Sequence, residues 1–259
     1  MPITMYQIDA FAQQVFQGNP AAVCPLTTWL PNFCMQAIAA ENNLSETVFF
    51  VPNDSGFDIR WFTPLAEVDL CGHATLAAAF VIFNELDYPQ ESILFQSKSG
   101  PLQVQRQQDV FTLNFPRESF QQESIDARWQ HDLGVSPIAQ YRGTDTLIIV
   151  ETESEVLHAS PNLERLKQLE SRGLILSSVG HEVDFVSRFF APRFGIDEDP
   201  VTGSAHCMLA PYWADVLQKN ELHARQLSKR GGDLHCVVKD ERIHISGHAV
   251  KFMQADIFI

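Results

Sequence analysis

The chain has 259 residues, 45% of them hydrophobic and 19% charged, which is enough to bury the core of one large domain or two smaller ones. Its formal charge of −14 repels phosphate backbones, so we expect no nucleic-acid partner. The apolar run at 74–83 is shorter than the roughly 18 residues of a membrane span, and residues 1–11 carry no secretory signal pattern, so we expect no membrane association.

The cysteine count gives a second indication of the environment. Five cysteines occur at positions 24, 34, 71, 207 and 236, without close pairing. An odd number in a chain of this size favours reduced thiols over a disulfide framework. We therefore expect a cytoplasmic protein.

The first half alternates strand patterns with two helix patterns. The helix at 31–41 begins with proline, whereas the helix at 74–84 is apolar on every side and is expected to be covered all round. The residue pattern predicts strands at 5–11, 47–51, 57–62, 102–106 and 110–115.

The second half shows a similar alternation. One long helix is predicted at 204–218, with Pro211 as a kink, and the polar stretch 116–137 separates the halves. We predict domains at 1–116 and 117–259, with the last strand, 250–259, packing on the first domain. Strands are predicted at 146–150, 174–178, 184–190 and 236–239.

An internal duplication relates the two halves. RWFTP at Arg60 and RFFAP at Arg188 start 128 residues apart, and each leads through an acidic stretch to a glycine and a helix pattern. A second echo, SGPL at 99–102 and GGDL at 231–234, follows in the same order. The sequence therefore predicts a mixed α/β (α+β) protein with two similar domains, each a curled sheet around a central helix.

Gly72 and Gly203 stand at the starts of the two repeated helices. A helix N-terminus presents unpaired N–H groups and partial positive charge, so two of them across a domain cleft favour a small carboxylate-bearing substrate. The alternative is that both glycines serve only tight strand-to-helix turns.

The Cys71-Gly72-His73 triplet suggests thiol or metal chemistry, but the second repeat carries Thr202 where a matching thiol is needed. A racemase mechanism with two cysteine thiols as opposing bases is therefore disfavoured. Zinc bound by Cys71, His73, His206 and Cys207 is disfavoured as well, since their spacings fit no usual zinc pattern, and we expect no metal. Cys71 is best interpreted as a small buried residue lining the site.

Two carboxylates are the candidates for proton transfer. Glu46 shares a strand face with Leu44 and Val48, where burial is expected to raise the pKa of its carboxyl toward neutrality. Asp199 directly precedes the second glycine-led helix. The alternatives are a Glu46 that bends out to water and an Asp199 that caps a helix. His73, in the first turn after Gly72, either binds and protonates substrate or is a hydrogen-bonded histidine at a helix start.

Five motifs in this order resemble the PhzF-type isomerases of phenazine biosynthesis. They are GNPAAV (18–23), NLSETVFF (43–50), RWFTPLAEVDLCGHAT (60–75), GIDEDPVTGSAH (195–206) and LAPYW (209–213). The resemblance implies a diaminopimelate epimerase-like fold, a cofactor-free proton shift on a small amino or hydroxy acid, and a homodimer.

The same resemblance implies roles for individual residues. Glu46 becomes the acid–base shuttle, Asp199 orients the substrate amino group, and His73 and Ser204 bind and protonate polar groups. Gly72 and Gly203 offer backbone N–H groups, and Ser45 contacts the substrate.

Two other functions stay open at this point. One is an amino-acid racemase or epimerase that uses Glu46 with His73 or Cys71 as opposing bases. The other is a non-catalytic metabolite-binding protein on the same fold. The substrate, pathway and stereochemistry cannot be deduced from the sequence.

Overall fold

The computed structural model describes residues 2–259, which divide into two compact units. One unit comprises the residues up to Phe115 together with Ile245–Ile259, and the other comprises Pro116–His244. The chain thus leaves the first unit at its middle and returns to it at its end.

The first unit holds ten elements before the chain leaves it, and the last strand after the chain returns. These are β1 (Ile3–Ala10), β2 (Asn19–Pro25), α1 (Asn32–Asn42), β3 (Glu46–Asn53), β4 (Gly56–Phe62), β5 (Glu67–Val68), α2 (Gly72–Asn84), β6 (Ser92–Ser97), β7 (Gly100–Gln107) and β8 (Val110–Pro116). The last strand, numbered β18 by its place in the chain (Ala249–Ile257), pairs antiparallel with β1.

Helix α2 is the centre of the first unit. Apart from Phe80, its residues from Gly72 to Phe83 are buried, and it packs against β1, β2 and β3. Small side chains such as those of Ala77, Ala78 and Ala79 allow strands to approach it closely. The all-round apolar pattern therefore gives the buried central helix that the sequence predicts.

The second unit is built in the same manner. Its elements are β9 (Gln121–Glu123), α3 (Trp129–Asp132), β10 (Ala139–Arg142), β11 (Thr146–Ile149), α4 (Glu153–His158), α5 (Leu163–Leu166), β12 (Leu174–Val179), β13 (Phe185–Ala191), the 3₁₀ turn Pro192–Phe194, β14 (Ile196–Asp199), α6 (His206–Leu217), β15 (Glu221–Gln226) and β16 (Gly232–Lys239). β17 (Arg242–Gly247) carries the chain back to the first unit.

Strand pairing reproduces the duplication. β2 runs parallel to β3, β3 antiparallel to β4, β4 parallel to β6 and β6 antiparallel to β7. The second unit repeats this order: β11 runs parallel to β12, β12 antiparallel to β13, β13 parallel to β15 and β15 antiparallel to β16. The two halves therefore share one topology, in agreement with the repeat seen in the sequence.

The repeated arginines hold equivalent places in the two units. Arg60 donates from Nε and Nη2 to both carboxylate oxygens of Glu67, each at 2.8 Å. Arg188 bonds both oxygens of Glu198 in the same way, at 2.7 and 3.0 Å. Each bidentate pair ties a strand to the short strand before the glycine, which fixes where the following helix begins.

The elements differ from the sequence-based predictions mainly at their ends and in the polar strands. Helix α6 begins at His206 rather than Ser204, because residues 203–205 form a turn. Pro211 lies inside α6 as predicted. The strands that the pattern missed include β2, β6 and β15. Among residues 2–259, every helix is too short or too polar to span a bilayer.

Candidate active site

Glu46 is the first residue of β3 and lies beside Ala21 of the parallel strand β2. The six residues from Glu46 to Val51 are all buried, and Glu46 itself is 8% exposed. Because its neighbours on this face, Ala21 and Val48, are apolar, the carboxylate has few protein groups to replace the water lost on burial. Glu46 therefore lies on an apolar strand face, as the sequence predicts.

His73, the second residue of α2, faces this carboxylate. Its Nε2 lies 3.1 Å from Oε2 of Glu46, and the ring is 4% exposed. The distance suits an ion pair, but the two atoms are not aligned as a hydrogen bond, and both are buried without another hydrogen-bond partner. Both atoms are thus able to bond to a substrate.

The other ring nitrogen of His73 has two neighbours. Nδ2 of the buried Asn19 lies 3.1 Å from Nδ1, and Sγ of Cys71 lies 3.5 Å from it. An asparagine amide suits either protonation state of this nitrogen, because its nitrogen donates to a bare Nδ1 and its oxygen accepts from a protonated one. Asn19 and Cys71 therefore hold the ring with Nε2 toward Glu46.

The charges in this cluster shift two pKa values. Burial alone lowers the pKa of His73, but Cys71 and Glu46 outweigh it and place that pKa well above 6.5. Burial, followed by the negative charge of Glu46, raises the pKa of the Cys71 thiol to about 11. A thiol with that pKa is neutral at pH 7, so at that pH Glu46 is the neighbour whose negative charge raises the pKa of His73.

The start of α2 adds an anion-binding element. Cys71 caps the helix with extended backbone and without a side-chain cap hydrogen bond, while the Thr75 hydroxyl donates to the Cys71 carbonyl at 2.6 Å. The buried Gly72 follows directly. The N-terminus of this helix thus brings partial positive charge to the cluster, where it favours a carboxylate.

The second unit places Asp199 in a separate hydrogen-bond network. Asp199 ends β14, is 6% exposed and accepts a hydrogen bond from the Thr202 hydroxyl. Gln226 is completely buried; its amide nitrogen donates to the Asp199 carbonyl at 2.7 Å, and its oxygen accepts from the Thr202 N–H at 2.9 Å. Gln226 therefore fixes the backbone of the loop that carries Asp199.

Gly203 and Ser204 follow this loop, in the turn before α6. Gly203 is buried and Ser204 is half-buried. Asp199 does not cap α6, whose N-cap position is Ala205. Instead His206, the first residue of α6, donates from Nδ1 to the Thr202 carbonyl at 2.8 Å, which closes the turn.

The structure groups the predicted site residues by unit. Glu46, Cys71, Gly72 and His73 meet in the first unit, with the half-buried Ser45 in the bend before β3. Asp199, Gly203 and Ser204 lie in the second unit, and their roles stay predictions. Sequence reasoning missed Asn19 and Gln226. Asn19 belongs to the GNPAAV motif, which could have indicated it. Gln226 lies outside all five motifs, so the sequence offers no such indication.

Comparison with known proteins identifies the family. A model of the family described as phenazine biosynthesis-like protein, PhzC-PhzF, matches residues 8–255. An uncharacterized isomerase of Pseudomonas aeruginosa is 45% identical over 259 residues, covering 100% of both chains. This chain belongs to the PhzF family.

Solved structures agree with that membership. A PhzF family protein of Enterococcus faecalis superposes with a TM-score of 0.98 at 44% identity, covering 100% of both chains. A hydroxyproline epimerase of Agrobacterium vitis superposes with a TM-score of 0.65 at 9% identity, covering 99% of this chain and 92% of that chain. This PhzF family chain therefore has the diaminopimelate epimerase-like fold that the sequence predicts.

Proposed function

We propose that this protein is a cofactor-independent isomerase that moves a proton between two positions of a small amino or hydroxy acid. The names of its relatives support the isomerase class. The single observation that carries the proposal is the pairing of the buried Glu46 carboxylate with the His73 ring at 3.1 Å. A buried carboxylate beside a buried imidazolium is suited to taking a proton and returning it.

In this mechanism the Glu46 carboxylate removes a proton from a carbon next to an activating group of the substrate. Glu46 then holds the proton as a neutral acid and returns it to a second carbon, so that no net charge changes. The His73 imidazolium stabilises the negative charge that develops on the substrate between the two steps. The start of α2 binds the substrate carboxylate.

The two halves carry different residues at the candidate base positions, which favours a mechanism with one base over a mechanism with two. Arg60 pairs with Phe49 in the first unit, and Arg188 pairs with Leu176 in the second. Three residues back from each of these partners, Glu46 corresponds to Gly173, which has no side chain to carry a proton. The position equivalent to Cys71 holds Thr202, whose hydroxyl is engaged with Asp199. A single glutamate that both removes and returns the proton fits this arrangement better than two opposing bases.

The test is proton exchange in heavy water, followed by NMR over a panel of cyclic and linear amino and hydroxy acids. The panel includes dihydro-hydroxyanthranilate, the substrate type that the family resemblance implies. We expect Glu46→Gln to lower deuterium incorporation or product formation at least 100-fold, a typical loss for a general acid–base group. Glu41→Gln, at an exposed position of α1, is the matched control and should behave as the wild type.

Equal exchange by the wild type and Glu46→Gln on a compound that binds both would show that Glu46 is not the base. Binding without exchange by any variant would support a metabolite-binding protein instead.

An amino-acid epimerase or racemase is the second candidate, because Sγ of Cys71 lies 3.5 Å from His73 Nδ1. The raised pKa of Cys71, about 11, keeps the thiol neutral, so Cys71 is suited to donating a proton rather than removing one. Alkylation of Cys71 that abolishes activity and is prevented by substrate would favour this candidate. Full activity of Cys71→Ala would eliminate the form of this candidate in which Cys71 is the base opposite Glu46, and would leave the form that uses His73.

A further inference from the structure

Glu46, Cys71 and His73 together form a donor set that proton transfer alone does not require. One carboxylate oxygen, the thiol sulfur and one ring nitrogen of these residues all lie within 4.8 Å of one another, and all three residues are buried. We propose that this cluster is an inhibitory binding site for a thiophilic divalent cation, with Zn²⁺ as the probe.

The separations of the donor atoms suit a tetrahedral ion. With metal–sulfur and metal–nitrogen distances of about 2.3 and 2.1 Å, two donors of a tetrahedral Zn²⁺ lie roughly 3.5 Å apart. Cys71 Sγ and His73 Nδ1 are 3.5 Å apart, which matches the separation of two ligands of one tetrahedral ion. The Glu46 carboxylate faces Nε2 of His73 at 3.1 Å, so its side chain has to turn toward the Nδ1 side of the ring to become the third ligand.

The local environment favours a cation. Nε2 of His73 and Oε2 of Glu46 are buried without a well-formed hydrogen bond, and a metal ion would satisfy the carboxylate oxygen. A sulfur, a nitrogen and an oxygen ligand leave the fourth tetrahedral position open to water or to a substrate oxygen. On binding, the Cys71 thiol releases its proton to solvent as the metal–sulfur bond forms, and the ion replaces Asn19 as the neighbour of Nδ1.

This site differs from the four-residue zinc site that the sequence disfavours, because Glu46 takes the place of His206 and Cys207. It is a site for an inhibitor rather than for a resident cofactor. An ion held there occupies both Glu46 and His73, so inhibition rests on the proposed function. Binding of the ion does not, and a direct binding measurement distinguishes the two.

The binding test uses Co²⁺ as a spectroscopic substitute for Zn²⁺ on the full chain. We expect one equivalent of Co²⁺ to produce a near-ultraviolet thiolate charge-transfer band in the wild type, and Zn²⁺ to displace it. Cys71→Ser should abolish the band and weaken Zn²⁺ binding about 100-fold, the upper range seen when groups that support a metal site are removed. Cys34→Ser is the thiol control, since Cys34 is half-exposed on α1 and remote from these ligands in sequence.

Glu46→Gln provides a second variant that keeps the side-chain size, and it should weaken Zn²⁺ binding measured by calorimetry. A wild type that gives no thiolate band and no calorimetric Zn²⁺ binding would overturn the proposal. So would a band that Cys71→Ser retains at full strength. If binding occurs as expected but added Zn²⁺ leaves proton exchange unchanged, the metal site stands and the role of Glu46 in the reaction fails.

Discussion

Two buried histidines stand at helix starts and respond to burial in opposite ways. The pKa of His73 is raised well above 6.5 because Cys71 and Glu46 outweigh its burial. The pKa of His206 is lowered to about 4, because burial disfavours its charged form and only the Thr202 carbonyl offsets this. The difference follows from the neighbours: His73 faces a carboxylate, whereas His206 lies beside the tilted ring of Phe185, with ring centroids 5.8 Å apart.

We predict that His206 makes the protein acid-sensitive. In the unfolded chain this histidine takes up a proton near pH 6.5, but in the folded protein it does so only near pH 4. Unfolding therefore binds a proton in this window, and the free energy of unfolding falls by about 3 kcal/mol as the pH drops from 6.5 to 4. The measurement is urea unfolding of wild type and His206→Gln across this pH range.

The variant should lose this part of the pH dependence, although it is less stable at pH 7. His158→Gln, at an exposed position of α4, is the control and should keep the wild-type slope. Identical pH slopes for wild type and His206→Gln would contradict the prediction.

At the scale of single elements, the turn before β2 positions Asn19. Gly18 has a φ of +65°, and a Cβ there would meet the Ala10 carbonyl oxygen well inside van der Waals contact. Because β1 and β2 pair Ala10 with Asn19, the clash would push apart the strand ends that hold this asparagine against His73. The positive φ and the close Ala10 carbonyl thus explain why the GNPAAV motif has a glycine at this position.

We predict that Gly18→Ala lowers the free energy of unfolding by about 2–4 kcal/mol, from the left-handed backbone and the overpacking together. Gly134 is the matched control: its φ is +71°, but no atom lies within 4 Å of an added Cβ. Gly134→Ala should therefore lower the free energy of unfolding by only about 1 kcal/mol. Equal losses for the two variants in chemical denaturation would show that the contact with Ala10 is unimportant.

Gln226, at the end of β15, stabilises a loop rather than a strand. Its amide satisfies the Asp199 carbonyl and the Thr202 N–H, and it is completely buried. Gln226→Ala leaves these backbone groups without partners, so we predict a loss of about 2–4 kcal/mol in unfolding free energy.

Hydrogen exchange supplies a local measurement for Gln226→Ala. The Thr202 amide should exchange much faster in the variant, while amides of β3 and β4 in the other unit keep their protection. Gln168→Ala, an exposed glutamine, should leave both unchanged. Unchanged protection at Thr202 in Gln226→Ala would contradict the assignment.

Sequence periodicity predicts apolar elements such as α2 and β3, but it misses the buried strand β2 and the polar strand β15. Burial leaves an apolar pattern in the chain, and this pattern predicts helix α2 and strands such as β3 and β4. β15, with ELHARQ, and β7, with GPLQVQRQ, alternate buried and exposed residues, but only β7 follows a clear turn signal. β18 was predicted from the last residues, although its partner, β1, is at the other end of the chain.

The candidate site was predictable where one motif contains the chemistry. Glu46 stood out as a charge on an apolar strand face, and His73 as a titratable residue at a helix start. Asn19 and Gln226 act through neighbours that are distant in sequence, 54 residues away at His73 and 24 or 27 residues away at the Asp199 loop. Such partnerships are created only when the chain folds, so local patterns do not contain them.

At the scale of the whole molecule, duplicated architecture carries unequal chemistry. Both units repeat the same strand order and the same arginine–glutamate pair, yet Glu46 is matched by Gly173 and His73 by Ser204. The repeat therefore preserves the strand order and the arginine–glutamate pair that position the helices, but not the site residues near the helix starts. We infer that one half supplies the proton-transferring groups.

The return of the chain to the first unit predicts that this unit depends on the last strand. β18 pairs with β1 over eight residues, and Met253 and Ile257 pack on the cluster around Met35 and Phe49. Removal of residues 249–259 strips β1 of one of its two strand partners and exposes this cluster to water. We expect the truncated protein to lose hydrogen-exchange protection throughout β1 and β2, with β11 and β12 still protected.

A shorter truncation separates the strand from the tail. Phe258 and Ile259 lie beyond β18 and are 81% and 66% exposed, so their removal should leave the exchange pattern and the thermal midpoint unchanged. Protected β1 amides in the longer truncation would mean that the first unit completes its fold without its final strand. Loss of protection in β11 and β12 as well would mean that the two units unfold together, since those strands make no pairing with β18.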